Sequence, residues 1–256
     1  MTGTIDDTRY QGIRRYNLIA AALHALQAGL VLALANDFTL PVTGTYLEGP
    51  PGTTPGETVT ILDTPVGLAV AGFFALSAFF HLLVASPLYY GRYKAGLAEG
   101  HNYFRWVEYS LSSSIMIVLI AQLTGIADVV ALLAIFGVNA SMILFGWLQE
   151  KYQQPGDGGW VPFIFGSIAG IVPWLGVAIY VVAPGSTSDA EAPTFVYAII
   201  VSLFIFFNTF AINQWLQYKQ VGRWRDYLVG ERAYITLSLV AKSLLAWQVF
   251  GGTLAG

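Results

Sequence analysis

Seven stretches of apolar residues, each long enough to cross a bilayer as a helix, recur along this chain and limit what it can become. They fall at about 16–36, 65–85, 102–123, 127–149, 160–183, 194–217 and 232–253. At 1.5 Å rise per residue, about 20 residues cross the hydrocarbon core, so each run makes one pass. Composition agrees. Of 256 residues, 55% are hydrophobic and 11% are charged, the latter roughly half the share of a water-soluble domain. Cysteine is absent, which excludes disulfides and thiolate metal sites. The polar segment Met1–Tyr16 leads straight into the first run without a short apolar core and cleavage site, so that run is expected to stay as an anchor. The expected fold class is an all-α membrane protein with seven transmembrane helices, one domain over 1–256, with no repeat or linker. Its first partner is the lipid bilayer; nothing points to nucleic acid.

Charge placement orients the chain. Arg9, Arg14, Arg15, Arg92, Lys94, Arg105, Lys151, Lys219, Arg223, Arg225 and Arg232 all fall on one side. The connections on the other side hold Asp37, Glu48, Glu57, Asp63, Asp128, Asp189 and Glu191 and no basic residue. The positive-inside rule then puts the N-terminus in the cytoplasm and the C-terminus outside, as a multi-pass protein of the cell membrane.

The first outer connection is the longest. Val42–Leu47 and Thr58–Leu62 are rich in β-branched residues and flank a Pro/Gly turn, which predicts a β-hairpin over about 40–63. An isolated two-stranded ribbon is marginal, so it is expected to pack on the helix ends or on a second protomer. On the inner side, Tyr89–Lys94 reads as a basic, aromatic loop at headgroup level. Pro162 and Pro173 predict a broken or kinked fifth helix, with Trp174 adjacent.

Polar residues inside the runs share faces. His24 and Gln27 are three apart on the first helix, Ser77 and His81 four apart on the second, Glu108 and Ser112 four apart on the third. The fourth helix carries Asn139, Ser141, Met142 and Gly146; the sixth is aromatic (Phe204, Phe206, Phe207, Phe210) with Asn208, Asn213 and Gln214. Such an aromatic stripe suits packing as well as a ligand slot. The two histidines suit plain interhelical hydrogen bonds as well as proton relay.

Lys242 stands apart, near the middle of the last run among Ala241, Leu244, Leu245 and Trp247. An ammonium at that depth costs ~2.5–3.5 kcal/mol or more, and both ends of the helix are too far for snorkelling. Two remedies exist: pairing with a buried carboxylate, or conversion of the amine, for instance to a Schiff base with an aldehyde. Glu108 is the other charge well inside the runs, and Ser238 sits one turn before the lysine on its face. A Lys242–Glu108 pair is then either a helix–helix tie or the counterion pair of a protonated Schiff base. The second option needs an elongated apolar pocket, which the third to seventh helices can supply.

A seven-helix chain with a lysine in the middle of its last helix resembles a retinal protein. Longer blocks narrow the resemblance to the heliorhodopsin family over essentially the whole chain. They are Ala33–Asp37, Gly44–Tyr46 before the Pro-Pro-Gly turn, Phe104–Ser110, Phe136–Met142, Gly146–Glu150 and Leu237–Lys242. The inferred cytoplasmic N-terminus matches the inverted topology that separates heliorhodopsins from other rhodopsins. The resemblance implies a rhodopsin-like bundle with all-trans retinal covalently held by Lys242 and isomerising to 13-cis in light, with Glu108 as counterion. It places Ser77 and Ser238 by the imine, and Ser112 near it. His24 and His81 would lie in a polar cavity on the cytoplasmic side and accept the released proton. Asn139, Met142, Gly146, Trp174, Phe206 and Gln214 would line or flank the retinal pocket, and the outer hairpin would help form a homodimer.

A proton pump needs carboxylates in file on both sides of the imine. Pumping rhodopsins place an aspartate four residues before the lysine, where this chain has Ser238, and no second carboxylate lies deep in the third helix. With one intramembrane carboxylate, the first reading is a light sensor with a slow, non-transporting photocycle and a cytoplasmic signalling protein as partner, not an enzyme. A light-gated channel or weak transporter is the alternative. A membrane enzyme or carrier using Lys242 as a nucleophilic amine is the third.

Overall fold

The computed structural model describes residues 7–54, 56–183 and 191–254; Asp189, used above for orientation, lies outside them. The helices are α1 (Asp7–Leu34), α2 (Val66–Ala85), α3 (Tyr90–Ala98), α4 (Tyr103–Leu123), α5 (Val129–Tyr152), α6 (Val161–Val182), α7 (Thr194–Tyr218) and α8 (Tyr227–Val249). A ribbon of β1 (Thr39–Thr45) and β2 (Thr58–Pro65) separates α1 from α2. Among the described residues, seven helices are long and apolar enough to cross a membrane, α3 not being one of them.

Helix ends follow local chemistry. The Asn102 side chain accepts the Arg105 N–H at the start of α4, Asp128 accepts from Val130 and Ala131 on α5, and Asp226 accepts from Leu228 on α8. Some helices run further than their apolar stretches, α5 ending at Tyr152 rather than near 149. The first begins at Asp7 rather than near Tyr16, and the last at Tyr227 rather than Arg232. The inner loop at Tyr89–Lys94 is also corrected: α3 occupies most of it. Nor is the proline-containing helix broken. Pro162 sits in the first turn of α6, where an N–H has no intrahelical partner in any case, and α6 runs on through Pro173.

The ribbon is antiparallel, Thr39 opposite Pro65 and Thr45 opposite Thr58, with a register irregularity between Val42 and Thr43. At that irregularity Thr43 turns aside to donate its N–H to the Ala127 carbonyl at 2.8 Å, and Val42 buries its side chain in the bundle core. The ribbon is therefore docked on helix ends. β2 passes into α2 without an intervening residue.

Packing pairs α1 with α2, α4 with α5, α5 with α6, and α7 with α8, while α2 also meets α4. The spanning helix α4 buries the largest share of its surface and forms the middle of the bundle. Towards the ribbon the core is apolar, with Phe73, Phe74, Ile117, Ile120, Ile199, Leu203, Leu245 and Val249 fully buried. Outward faces are also apolar, as with Leu133, Ile168, Leu175 and Ile205, as expected where lipid is the solvent. Polar residues gather inside, towards the end that carries α3.

Candidate functional site

α4 and α8 bring the two conspicuous charges together. Lys242 Nζ lies 3.2 Å from Glu108 Oε1, and both side chains are buried. Lys242 also donates to Ser238 Oγ at 2.8 Å, one turn back on α8. From α2, Ser77 Oγ lies 2.6 Å from the same Glu108 oxygen and 3.1 Å from the Phe73 carbonyl. The ammonium sits 5.2 Å above the Tyr109 ring. Each charge thus has one opposite partner and one hydroxyl within reach, a sparse shell for a buried pair.

Lys242 lines a mostly apolar cavity of about 120 Å³, partly open to the outside. Trp106, Tyr109, Phe163, Phe207, Phe210 and Tyr234 supply aromatic walls, and Met142, Gly146, Gln214 and Ser238 complete them. Gly146 is required by contact: a Cβ there would meet the Trp106 ring at 2.5 Å. Gln214 donates to the Gly146 carbonyl at 3.0 Å, tying α7 to α5. Four other sequence candidates stand off the wall. Trp174 packs edge-on against Phe207 at 5.5 Å, one layer out. Asn139 donates to Ser113 and Ser114 at 2.8 and 3.0 Å, joining α5 to α4. Phe206 is half-buried off the cavity, and Ser112 is buried with no hydrogen-bond partner among the described residues.

On the other side of Glu108 lies a smaller polar cavity, lined among others by Asn17, Ser77, His81, Asn102, Arg105 and Glu231. His81 Nδ1 is 2.7 Å from Asn17 Oδ1. Because the Asn17 amide nitrogen already donates to the Ile13 carbonyl and the Tyr93 hydroxyl, its oxygen faces the histidine, so Nδ1 is the donor. His24 stacks on His81 with ring centroids 5.5 Å apart, and neither of its nitrogens has a partner among the described residues.

Beyond this cavity is a cluster that the sequence reading missed. Arg105 pairs with both Glu231 and Glu150, and all three are buried. Glu150 accepts from Arg105 at 2.6 Å, Tyr227 at 2.7 Å, Trp106 Nε1 at 2.5 Å and the Asn102 N–H at 2.9 Å. Glu231 accepts from Arg105, and from Tyr93 and the Asn102 amide at 2.8 Å each. The guanidinium lies 4.1 Å from the Tyr234 ring centroid. Two carboxylates share one cation, and neutral donors make up the difference. Burial, and then the Glu231 charge, push the Tyr93 phenol well above its usual range, so it remains a donor. The expectation of a single carboxylate inside the bundle is therefore corrected: Glu150 and Glu231 lie just beyond the apolar runs, on turns by which the helices exceed them.

A lysine and a glutamate are thus in contact, one lining the aromatic cavity and the other the polar one. The family model described as Heliorhodopsin matches residues 13–254. The chain belongs to the heliorhodopsin family. It is a multi-pass membrane protein of the light-sensing or light-driven retinal class, and membership implies a retinal chromophore. No curated protein matches it significantly. Among solved structures, it is similar to a light-driven proton pump from Leptosphaeria maculans, with a TM-score of 0.61, 12% identity, and 91% of this chain and 92% of that one covered. At that identity the likeness is one of fold. The residues present fit retinal, a long apolar aldehyde: the cavity is lined by aromatic and apolar side chains with few polar groups, and a primary amine is part of its wall.

Proposed function

We propose that this heliorhodopsin is a light sensor working as one seven-helix unit, with all-trans retinal joined to Lys242 and Glu108 as its counterion. The observation carrying this reading is the 3.2 Å contact of Lys242 with Glu108, between an apolar and a polar cavity. Retinal, when bound, would supply a conjugated light absorber capable of all-trans to 13-cis isomerisation, the basis of the slow, non-transporting photocycle proposed here. Glu108 holds positive charge at the nitrogen, and Ser77 and Ser238 fix the carboxylate and the nitrogen by hydrogen bonds. Trp106, Tyr109, Phe210 and Tyr234 exclude water from the apolar side. With Nδ1 donating to Asn17, His81 keeps Nε2 to accept a proton, and His24 stacks beside it.

The basic end faces the cytoplasm in this reading, by the same charge asymmetry. The basic stretch from Lys219 to Arg232, which takes in the connection between α7 and α8 and the first turns of α8, is the surface offered to a signalling protein. A homodimer forms through the ribbon, whose Tyr46, Leu47, Val59, Ile61 and Leu62 are exposed.

The test is a visible spectrum of protein expressed with all-trans retinal. A band is expected in the wild type, none in Lys242→Ala, and a red-shifted one in Glu108→Gln, where less charge is held at the nitrogen. A colourless wild type, or an unchanged spectrum in Glu108→Gln, overturns the reading. A transporter reading has one observation of its own, the hydrogen-bond chain from His81 through Asn17 and Tyr93 to Glu231. Photocurrent recording separates the two: a sustained current on illumination defeats the sensor.

A further inference from the structure

A third cavity has no part in this scheme. It is a crevice of about 370 Å³ between α2, α3, α4 and α5, at the end that carries α3. Its deeper walls are Phe80 and Leu83 from the last two turns of α2, and Phe104 and Val107 from the first two of α4. These side chains are half-buried, so the walls form a slot and not a closed core. At the mouth stand Arg92 on α3 and His101 just before α4. The His101 ring stacks on Tyr103 at 4.2 Å, and Tyr103 on Trp147 at 5.2 Å, giving the slot one continuous aromatic side.

Charges around the mouth are unequally engaged. Lys94 pairs with Asp7, Arg14 donates to the Ala85 carbonyl and lies over the Tyr90 ring, Arg105 is enclosed by its two carboxylates, and His101 Nδ1 lies 3.8 Å from the Glu99 carboxylate. Arg92 is exposed and has no ion-pair or hydrogen-bond partner among the described residues. The crevice therefore offers a free cation at the end of the spans and apolar walls running inward from it. Val107 is five residues into α4 and Phe80 is six from the end of α2, about 6–9 Å of helix. That depth is where acyl chains begin.

We propose that this crevice is a binding site for one anionic phospholipid of the adjoining leaflet, its phosphate on Arg92 and His101 and its upper acyl chain against Phe80, Leu83 and Val107. A free phosphate uses the mouth but not the walls, and a zwitterionic lipid carries a cation towards Arg92. Basic pockets between spanning helices hold anionic headgroups for this reason.

The test needs neither retinal nor light. The purified full chain in detergent is mixed with equimolar phosphatidylglycerol and phosphatidylcholine, and retained lipid is counted by native mass spectrometry. The wild type is expected to retain phosphatidylglycerol preferentially. Arg92→Gln, at an exposed position, should retain it about fivefold less, the effect of one interfacial basic residue, with phosphatidylcholine unchanged. Val107→Trp fills the slot and should lower retention of both. Equal retention of the two lipids by the wild type, or wild-type retention by Arg92→Gln, overturns the proposal. So does displacement of phosphatidylglycerol by inorganic phosphate at equal concentration, which would assign the mouth to a soluble anion.

Discussion

Two buried ionic groups lie along α4, and they are built on opposite plans. Around Arg105, two carboxylates accept from a guanidinium, two phenols, an indole, a side-chain amide and a backbone N–H. Around Lys242 and Glu108, one ion pair is supplemented by two serines, with cavities on both sides. Nearby, His24 and Ser112 keep polar atoms unpartnered among the described residues. Low dielectric strengthens a saturated network and makes an unsaturated one costly. The first cluster is therefore fixed in one arrangement, and the second has room to change its protons or its geometry. In the proposed function the chemistry takes place at the sparse site, while the saturated one ties α4, α5 and α8 together.

Removing each cation breaks this contrast most directly. Arg105→Met leaves two carboxylates facing each other and should cost ~3–5 kcal/mol, read as a large fall in melting temperature in detergent. Lys242→Met strands one carboxylate beside a polar cavity and should cost less, ~1–3 kcal/mol. Equal losses would mean that the two sites are not differently built. Ser77→Ala removes one donor from Glu108. Its stability loss should stay within ~0.5–1.5 kcal/mol, while the visible band moves in the same direction as in Glu108→Gln and by less. An unmoved band would detach Ser77 from the charge. Asn139→Leu tests a third kind of contact, a neutral tie between α5 and α4. It should cost about 0.6 kcal/mol, as interhelical hydrogen bonds in membranes do, and leave the spectrum almost unchanged.

The same contrast explains what could be read in the sequence. Lys242 and Glu108 were legible because each interrupts an apolar run, where a charge has no ordinary excuse. Arg105, Glu150 and Glu231 were not, since they sit at the edges of such runs, where charges usually meet water. What buried them was helix length: α5 continues to Tyr152 and α8 starts at Tyr227, which draws both glutamates inside. Span positions were legible for a similar reason, as length and apolarity set them. Helix rotation was not. A helix whose few polar residues are spread around it, such as α7, has no single polar face to mark which side turns inward. Phe207 and Phe210 line the cavity, while Phe206, one residue and ~100° away, does not. Met142, Gly146 and Gln214 face inward, and Trp174 stands one ring behind. The crevice beside α3 was hidden in another way. Tyr89–Lys94 has the composition of an interfacial loop, and only its helical fold against α2 and α4 makes a wall of it.

The join between Pro65 and Val66 has a mechanical meaning. Strand and helix meet there with no slack, and Ser77 lies about three turns further down the same rod. A force on the ribbon is passed to the hydroxyl that touches Glu108 instead of being lost in a loop. Whatever grips that extramembrane flap holds a lever on the charge at the centre of the molecule.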